Sequence, residues 1–433
     1  MKPLLLRGGR VVDPSVEMDR VADLLIEDGK VALIAPAISA RAETEVIEAA
    51  GMVVSPGFVD LHTHLRFPGQ PEKETVASGT RAAAAGGYTT ICAMANTNPP
   101  VDRAEILEKV YAEVQRSAVV RVLQFGAVSL GLRGETLTDM PSLAESGAVG
   151  FSDDGKPVWS ERLMAEALTR AGQLGKITSA HEEDPKLVAG GVANAGEAAR
   201  RHGLKEWPCE GEASLVARDV ALLERHGGRL HIAHVSCADT LPVLRQARAR
   251  GLEVTAEVTP HHLRLTDRML DGDPDLRLPA AHPCCKVNPP LRSPEDVEAM
   301  IQALAEGVID AIATDHAPHS AADKSGSFSD AAFGFSMIET ALPLALDFVR
   351  GGRIDLQTLV RRMSTAPAEI IGLDAGTQRI GAPADICIFD PDERWILRPE
   401  SLQSRGKNSP LLGAELRGRV KFTIVGGEVV HAG

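Results

Sequence analysis

The chemistry of this chain starts at Asp60-Leu61-His62-Thr63-His64-Leu65-Arg66, where two histidines stand one residue apart behind the apolar run 52–59. That run is bounded by turn formers and rich in β-branched residues, so it reads as a buried strand. Side chains alternate along a strand, which projects His62 and His64 to the same side at its end. Two imidazoles side by side can hold one metal ion. A loop that carries two histidines by chance is the plainer alternative, and further ligands elsewhere decide between the two. Such ligands are present: His181, His234, Asp315 and the pair Asp153-Asp154 each close a short apolar run. Imidazole with carboxylate suits Zn²⁺ and its neighbours. A set of six, counting one of the two adjacent aspartates, suggests two ions sharing a bridging group. A metal lowers the pKa of its bound water toward about 7 and so supplies a nucleophile near neutral pH.

The elements that must position these residues alternate. From residue 53 onward, strands over 53–62, 88–94, 119–125, 147–155, 177–181, 230–234, 253–262 and 309–319 are separated by amphipathic helical stretches. The clearest of these helices are 74–85, 103–115, 161–174, 212–226, 239–250 and 294–306. The Gly-punctuated segment 131–146 reads as a loop plus a short helix. Helical crossovers imply a parallel sheet, and eight strands is the number that closes a TIM-type barrel, with helices 338–350 and 355–364 completing it. In such a barrel the chemistry sits at the C-terminal ends of strands, where the histidines and acids fall. Residues 4–52 carry short strands with Gly8-Gly9 and Asp28-Gly29 as hairpin signals, and β patterning returns from 376. The expected fold is therefore α/β: a (β/α)₈ barrel over 53–375 beside a small β-sandwich domain built from 1–52 and 376–433.

Composition narrows the function classes. The 433 residues are 44% hydrophobic and 24% charged, as in a soluble globular protein, with enough chain for a substantial core. A net charge of −13 argues against a nucleic-acid or anionic-membrane surface. No basic-then-apolar leader and no run of membrane-spanning length stands out, and the six scattered cysteines form no C-x-x-C pair. A cytoplasmic enzyme is the expectation.

Six segments resemble the motifs of bacterial class I dihydroorotases, in the amidohydrolase superfamily, and the likeness runs essentially end to end. They are 60–66, Phe151-Ser152-Asp153-Asp154-Gly155, Glu257-Val258-Thr259-Pro260-His261-His262, Lys286-Val287-Asn288-Pro289-Pro290-Leu291-Arg292, Ala313-Thr314-Asp315-His316-Ala317-Pro318-His319 and Asn408-Ser409-Pro410. The resemblance implies that His62, His64 and Asp315 hold one metal and His181 and His234 a second. Asp154, last before the glycine, bridges them in preference to Asp153. Many members of the superfamily carry a carboxylated lysine at this position, and Lys156, past the glycine, is no substitute. One or two Zn²⁺ per chain are expected.

The reaction implied is the reversible closure of N-carbamoyl-L-aspartate to dihydroorotate plus water, a step of pyrimidine synthesis, with Asp315 as general base and acid. Arg66 would grip the substrate carboxylate bidentately, helped by His64, Asn96 and His319. Asn288 would meet the pyrimidine edge, and Phe333-Gly334 would offer backbone contacts to the ring from a mobile loop over 320–336. The plainer readings stand beside these: a surface ion pair for Arg66, loop caps for Asn96 and His319, a rigid turn for Asn288, a pure ligand for Asp315. Ala95 departs from the proline usual before Asn-Thr. His261 and His262 read as structural, and His231 and His316 as groups that orient the ligands. Rival readings are a hydantoinase or allantoinase on the same barrel, and a non-catalytic scaffold for aspartate carbamoyltransferase. That enzyme, the small-molecule substrate and further copies of the chain are the expected partners.

Overall fold

The computed structural model describes residues 2–433. Eight parallel strands carry the candidate ligands: β1 (Phe58–Thr63), β2 (Tyr88–Ala93), β3 (Arg121–Gln124), β4 (Gly150–Phe151), β5 (Ile177–Ala180), β6 (Leu230–Ile232), β7 (Val254–Val258) and β8 (Ala311–Ile312). The first three pair in sequence order, as do the last five, and every pairing is parallel. Two isolated parallel bridges link the groups, Gly126 with Phe151 and Thr63 with His316. Parallel neighbours need long crossovers, and helices such as Val76–Ala85, Ala104–Ser117, Glu161–Gln173, Glu210–His226, Leu241–Ala249 and Pro294–Glu306 supply them. After β3 the chain makes a 3₁₀ turn (Leu130–Leu132) and a short helix (Met140–Glu145), as the glycines there foretold.

Local sequence explains these elements. In Glu161–Gln173 the residues Leu163, Met164, Ala167, Leu168 and Ala171 recur at helical spacing and are buried, while the Ser160 hydroxyl caps the helix by accepting from the Leu163 N–H. Burying one such leucine contributes about 1.5–3 kcal/mol. All six residues of β1 are buried, including Asp60, because a strand covered on both faces has no solvent side. Asp60 accepts from the backbone N–H groups of His62 and Thr314 and from the hydroxyls of Thr63 and Thr314. It thereby ties the end of β1 to the end of β8.

The two chain ends join in one eight-stranded sheet. Its order is Glu428–Ala432, Glu415–Val425, Ile386–Ile396, Val53–Pro56, Leu4–Asp13, Met18–Glu27, Lys30–Ala35, with Glu45–Glu48 also against Leu4–Asp13. Two details differ from the sequence reading. Val53–Pro56 pairs with Ile386–Phe389 and with Arg10–Val11, so the run 53–59 serves two sheets. A continuous apolar run gives no sign of where a chain changes sheets. The changeover is Gly57, where a Cβ would stand 2.2 Å from the Thr89 side chain. Gly8-Gly9 is no hairpin but a break in register inside one strand, whereas Asp28-Gly29 is the turn expected. No helix among the described residues is long and apolar enough to cross a membrane.

Candidate active site

At the C-terminal ends of β1, β4, β5, β6 and β8 five of the proposed ligands meet around Asp154. Asp154 Oδ1 lies 3.2 Å from His62 Nε2, 3.4 Å from His181 Nδ1 and 3.8 Å from His234 Nε2, and Oδ2 lies 3.5 Å from His64 Nε2. Asp315 Oδ1 stands 3.0 Å from His64 Nε2 and 3.6 Å from His62 Nε2. Two trios of ligand atoms, His62-His64-Asp154 and Asp154-His181-His234, each fall within 4.8 Å, and the carboxylate of Asp154 belongs to both. Asp153 points elsewhere, to the backbone N–H and hydroxyl of Ser129.

The surroundings fix which nitrogen of each ring faces inward. His62 Nδ1 is 2.8 Å from Glu257 Oε1, and His64 Nδ1 is 3.0 Å from Asn96 Oδ1. Each Nδ1–H therefore donates outward and each Nε2 turns its lone pair on the cluster. His181 is reversed: Nε2 lies 3.1 Å from Glu183 Oε2, leaving Nδ1 to face His234 Nε2 at 2.9 Å. Nitrogen lone pairs packed against one another need a cation between them. His62 Nε2 is also fully buried without a hydrogen-bond partner. Buried imidazole and carboxylate, converging with unmet lone pairs, are a donor set that fits zinc.

The field at the site favours positive charge, which a proton or a metal ion can supply. Burial works against the charge on Asp154, yet His62, His181 and His234 hold its carboxyl well below the usual range. Burial likewise opposes protonation of His181, but Asp154 and Glu183 raise it to about 10. Glu257, buried between His62 and His231, is held at about 2. Arg66, His234 and Asp315 are all in the left-handed backbone region, at φ 56°, 35° and 43°. For non-glycine residues this costs on the order of 1–3 kcal/mol each, and it collects at sites where geometry is over-determined.

Above the cluster is a cavity of about 230 Å³ lined by His64, Arg66, Asn96, Asn288, His319, Phe333 and Gly334, together with Asp154, His181, His234 and Asp315. The residues expected to bind substrate thus all line one cavity. Asn96 Nδ2 donates to Asp154 Oδ2 at 2.8 Å, and Asn288 Nδ2 donates to Glu183 Oε2 at 3.0 Å. Arg66 Nε donates to the Pro318 carbonyl, and among the described residues its guanidinium meets no carboxylate. Burial and the nearby Arg66 push His319 down to about 3, so it is neutral and its Nε2–H donates to the Phe333 carbonyl at 2.8 Å. A larger groove, about 680 Å³, runs between helices Glu161–Gln173 and Glu210–His226, and no candidate ligand reaches it.

The rings of His231, His261, His262 and His316 hydrogen-bond to none of the candidate ligands. His316 Nδ1 accepts from the Met337 N–H, and His262 spans Thr259 and the Pro289 carbonyl. His261 is buried with neither ring nitrogen partnered. Sequence reading missed two acids. Glu257 had a signal, a lone charge inside an apolar strand; Glu183 had none that set it apart from Glu182.

Comparison with known proteins places this arrangement. The profile of a family described as Dihydro-orotase-like matches residues 51–240, and that of the Amidohydrolase family matches 214–431. Among solved structures, L-hydantoinase (dihydropyrimidinase) from Arthrobacter aurescens superposes with a TM-score of 0.88 at 27% identity, over 100% of this chain and 96% of that one. Dihydropyrimidinase from Brevibacillus agri gives 0.84 at 26%, over 99% and 94%. Curated relatives are much nearer in sequence. A dihydroorotase of Anaeromyxobacter dehalogenans is 48% identical over 99% of this chain and 98% of its own length, and one of Geotalea daltonii is 44% identical over 99% of each. At that identity and coverage, the chain belongs to the dihydroorotase family of metal-dependent amidohydrolases.

Proposed function

We propose that the chain interconverts N-carbamoyl-L-aspartate and dihydroorotate. The observation that carries this reading is one cavity in which His64, Asp154, His181, His234 and Asp315, from the two trios that share Asp154 and from the facing strand end, look toward Arg66, Asn288, His319 and Gly334. Its volume, about 230 Å³, suits a small ring with one carboxylate. In the same reading the eight parallel strands form a closed (β/α)₈ barrel, supported by the bridges Gly126–Phe151 and Thr63–His316, and the end-built sheet packs beside it as the small β domain.

His62, His64 and Asp315 would hold one Zn²⁺ and His181 and His234 a second, with Asp154 between them. Bound there, zinc supplies Lewis-acid polarisation of the ring amide carbonyl and a water that ionises near neutral pH. Asp315 approaches His64 through Oδ1 only, and its other oxygen has no partner among the described residues. That oxygen can accept the proton of the attacking water and return it to the departing ring nitrogen, the two halves of general acid–base catalysis. Arg66 presents the donors to the substrate carboxylate, with neutral His319 packed beside its guanidinium, while Asn96 holds His64 and Asp154 in place and the Asn288 amide meets the ring edge. The apolar face of Phe333 and the backbone of Gly334 close the far side.

The test is turnover of dihydroorotate by the purified, zinc-loaded chain, with hydantoin and allantoin alongside. Turnover confined to dihydroorotate is expected. Turnover of hydantoin or allantoin alone would replace the reading with that of the structural neighbours.

A further inference from the structure

Asn408 comes from the C-terminal segment, outside the strands that carry the ligands, yet it is buried against the wall of the cavity with 4% of its surface exposed. Its side-chain amide makes contacts in two directions. Oδ1 accepts from the backbone N–H of His319 at 2.8 Å, and Nδ2 donates to the carbonyls of Ala317 at 3.0 Å and Gly334 at 2.9 Å. The orientation of the amide is unambiguous, because turning it over would set an NH₂ against an N–H and an oxygen against two carbonyls. The backbone joins in: the Asn408 carbonyl accepts from the Ser336 N–H at 3.2 Å. The Ser336 hydroxyl lies 2.7 Å from the Gly406 carbonyl and 2.9 Å from Asn408 Oδ1.

One side chain thus fastens two pieces of chain that are 89 and 74 residues away from it in sequence. The first piece, 317–319, carries His319 and the carbonyl of Pro318 that receives Arg66 Nε. The second, 334–336, carries Gly334 at the cavity wall, where a Cβ would stand 2.6 Å from Ala317 Cβ. Close approach is built into the anchoring segment too. A Cβ on Gly406 would lie 2.6 Å from Pro318 Cβ and 2.7 Å from the His319 nitrogen. The far end of the segment is tied to buried Glu74: the Ser404 hydroxyl donates to Glu74 Oε2 at 2.5 Å, and the same oxygen is 3.5 Å from His316 Nε2.

We infer that Asn408 is a positioning residue for substrate binding: it sets the spacing between the His319–Arg66 edge and the Gly334 edge of the cavity, and so governs affinity for the substrate carboxylate. This rests on the reading of the cavity as a dihydroorotate site. Asn408 touches no candidate metal ligand, so its role falls on binding and not on the reacting centre. The C-terminal segment is then part of the substrate pocket, with Asn408-Ser409-Pro410 as its working end.

The experiment compares wild type with Asn408→Asp, Asn408→Ala and Ser336→Ala as zinc-loaded full-length chains. Steady-state kinetics on dihydroorotate, zinc content, and amide hydrogen exchange over 317–320 and 333–337 are measured for each. Asn408→Asp loses both Nδ2 donations and Asn408→Ala the Oδ1 contacts as well, which predicts a KM raised roughly tenfold or more in the Asn408 variants, with kcat within about threefold and zinc content unchanged. Exchange at His319 and Ser336 is expected to be faster by a similar factor of about ten. Ser336→Ala, which removes a single hydroxyl, is the variant that decides if the Asn408 variants fail to fold; its KM is expected to rise about threefold. An unchanged KM, an unchanged exchange rate, or a loss confined to kcat would each overturn the inference. A wild-type chain that turns over no dihydroorotate would instead remove the reading of the site, and the exchange comparison would still decide whether Asn408 holds the two edges.

Discussion

Glu257 Oε1 lies 2.8 Å from Nδ1 of His62, at the opposite edge of the ring from Asp154. The second oxygen of Glu257 is 3.0 Å from Nε2 of His231, whose Nδ1 is 2.8 Å from the Thr255 hydroxyl. A chain of polar contacts therefore runs from half-buried Thr255 through the buried His231 and Glu257 to His62. A carboxylate behind an imidazole fixes its tautomer and makes the free nitrogen a stronger donor. Glu257→Gln keeps the shape and removes the charge. Zinc affinity is expected to fall by about 10–100-fold, read by competition with a chromogenic chelator. Wild-type affinity in that variant would mean that Glu257 serves packing alone.

Asp315 and Asp154 have different tasks in this arrangement. Asp154 is enclosed by imidazoles and the Asn96 amide, whereas Asp315 uses one oxygen on His64 and lines the cavity. Asp315→Asn retains the size of the side chain and its place beside His64 but cannot take a proton. We expect kcat to drop by about 10²–10⁴-fold with the circular dichroism spectrum preserved. Near-normal turnover would remove Asp315 as the base.

These two acids also show what was legible beforehand. The candidate ligands were readable because strand alternation and the rule that parallel α/β strands carry chemistry at their C-terminal ends both assign them to one place, so His62, His64, His181, His234 and Asp315 could be brought together without coordinates. The choice of Asp154 over Asp153 rested on a resemblance, and only side-chain direction separates them physically: Asp153 turns back to Ser129. Asn408 was visible as part of a motif but not as part of the pocket, because nothing local links it to residues 74 and 89 positions away. The same limit hid the split of 53–59 between two sheets at Gly57, where the deciding contact is with Thr89. The contacts of the loop over 320–336 were hidden in the same way: Lys286 Nζ donates to the Ser329 carbonyl, and Lys324 Nζ reaches back to the carbonyls of Pro283 and Lys286.

Arg66 has a half-buried guanidinium whose neighbours are a carbonyl and a neutral histidine, so its charge is free for a ligand. Lysine offers no planar fork, and Arg66→Lys is accordingly not conservative. Losing a charge-assisted, bidentate contact costs about 1.5–3 kcal/mol, which predicts a KM for dihydroorotate raised by about 10–100-fold in Arg66→Lys or Arg66→Met. A kcat effect without a KM effect would move Arg66 from binding to chemistry.

Lys324 is the most constrained cation in the loop over the cavity. Its ammonium donates to the carbonyls of Ala332 at 2.6 Å, Lys286 at 2.9 Å and Pro283 at 3.3 Å, with 8% of the residue exposed. Cys284, Lys286, Cys285 and Asp323 are the ionisable groups that face it. Burial outweighs them and lowers the ammonium to about 8. A lysine whose pKa is lower in the folded state than in the unfolded chain loses its proton first in the fold, so between about pH 8 and 10.4 the unfolded chain binds more protons. Stability from this group therefore rises with pH across that window and is flat below it. The full change is on the order of 3 kcal/mol. Lys324→Met does not titrate there, and the difference in urea midpoint between it and wild type is expected to move in favour of wild type as pH goes from 7.5 to 10.5. A constant difference across the window would show that the three carbonyls stabilise the charge as well as water does, and would assign Lys324 the same proton affinity in both states.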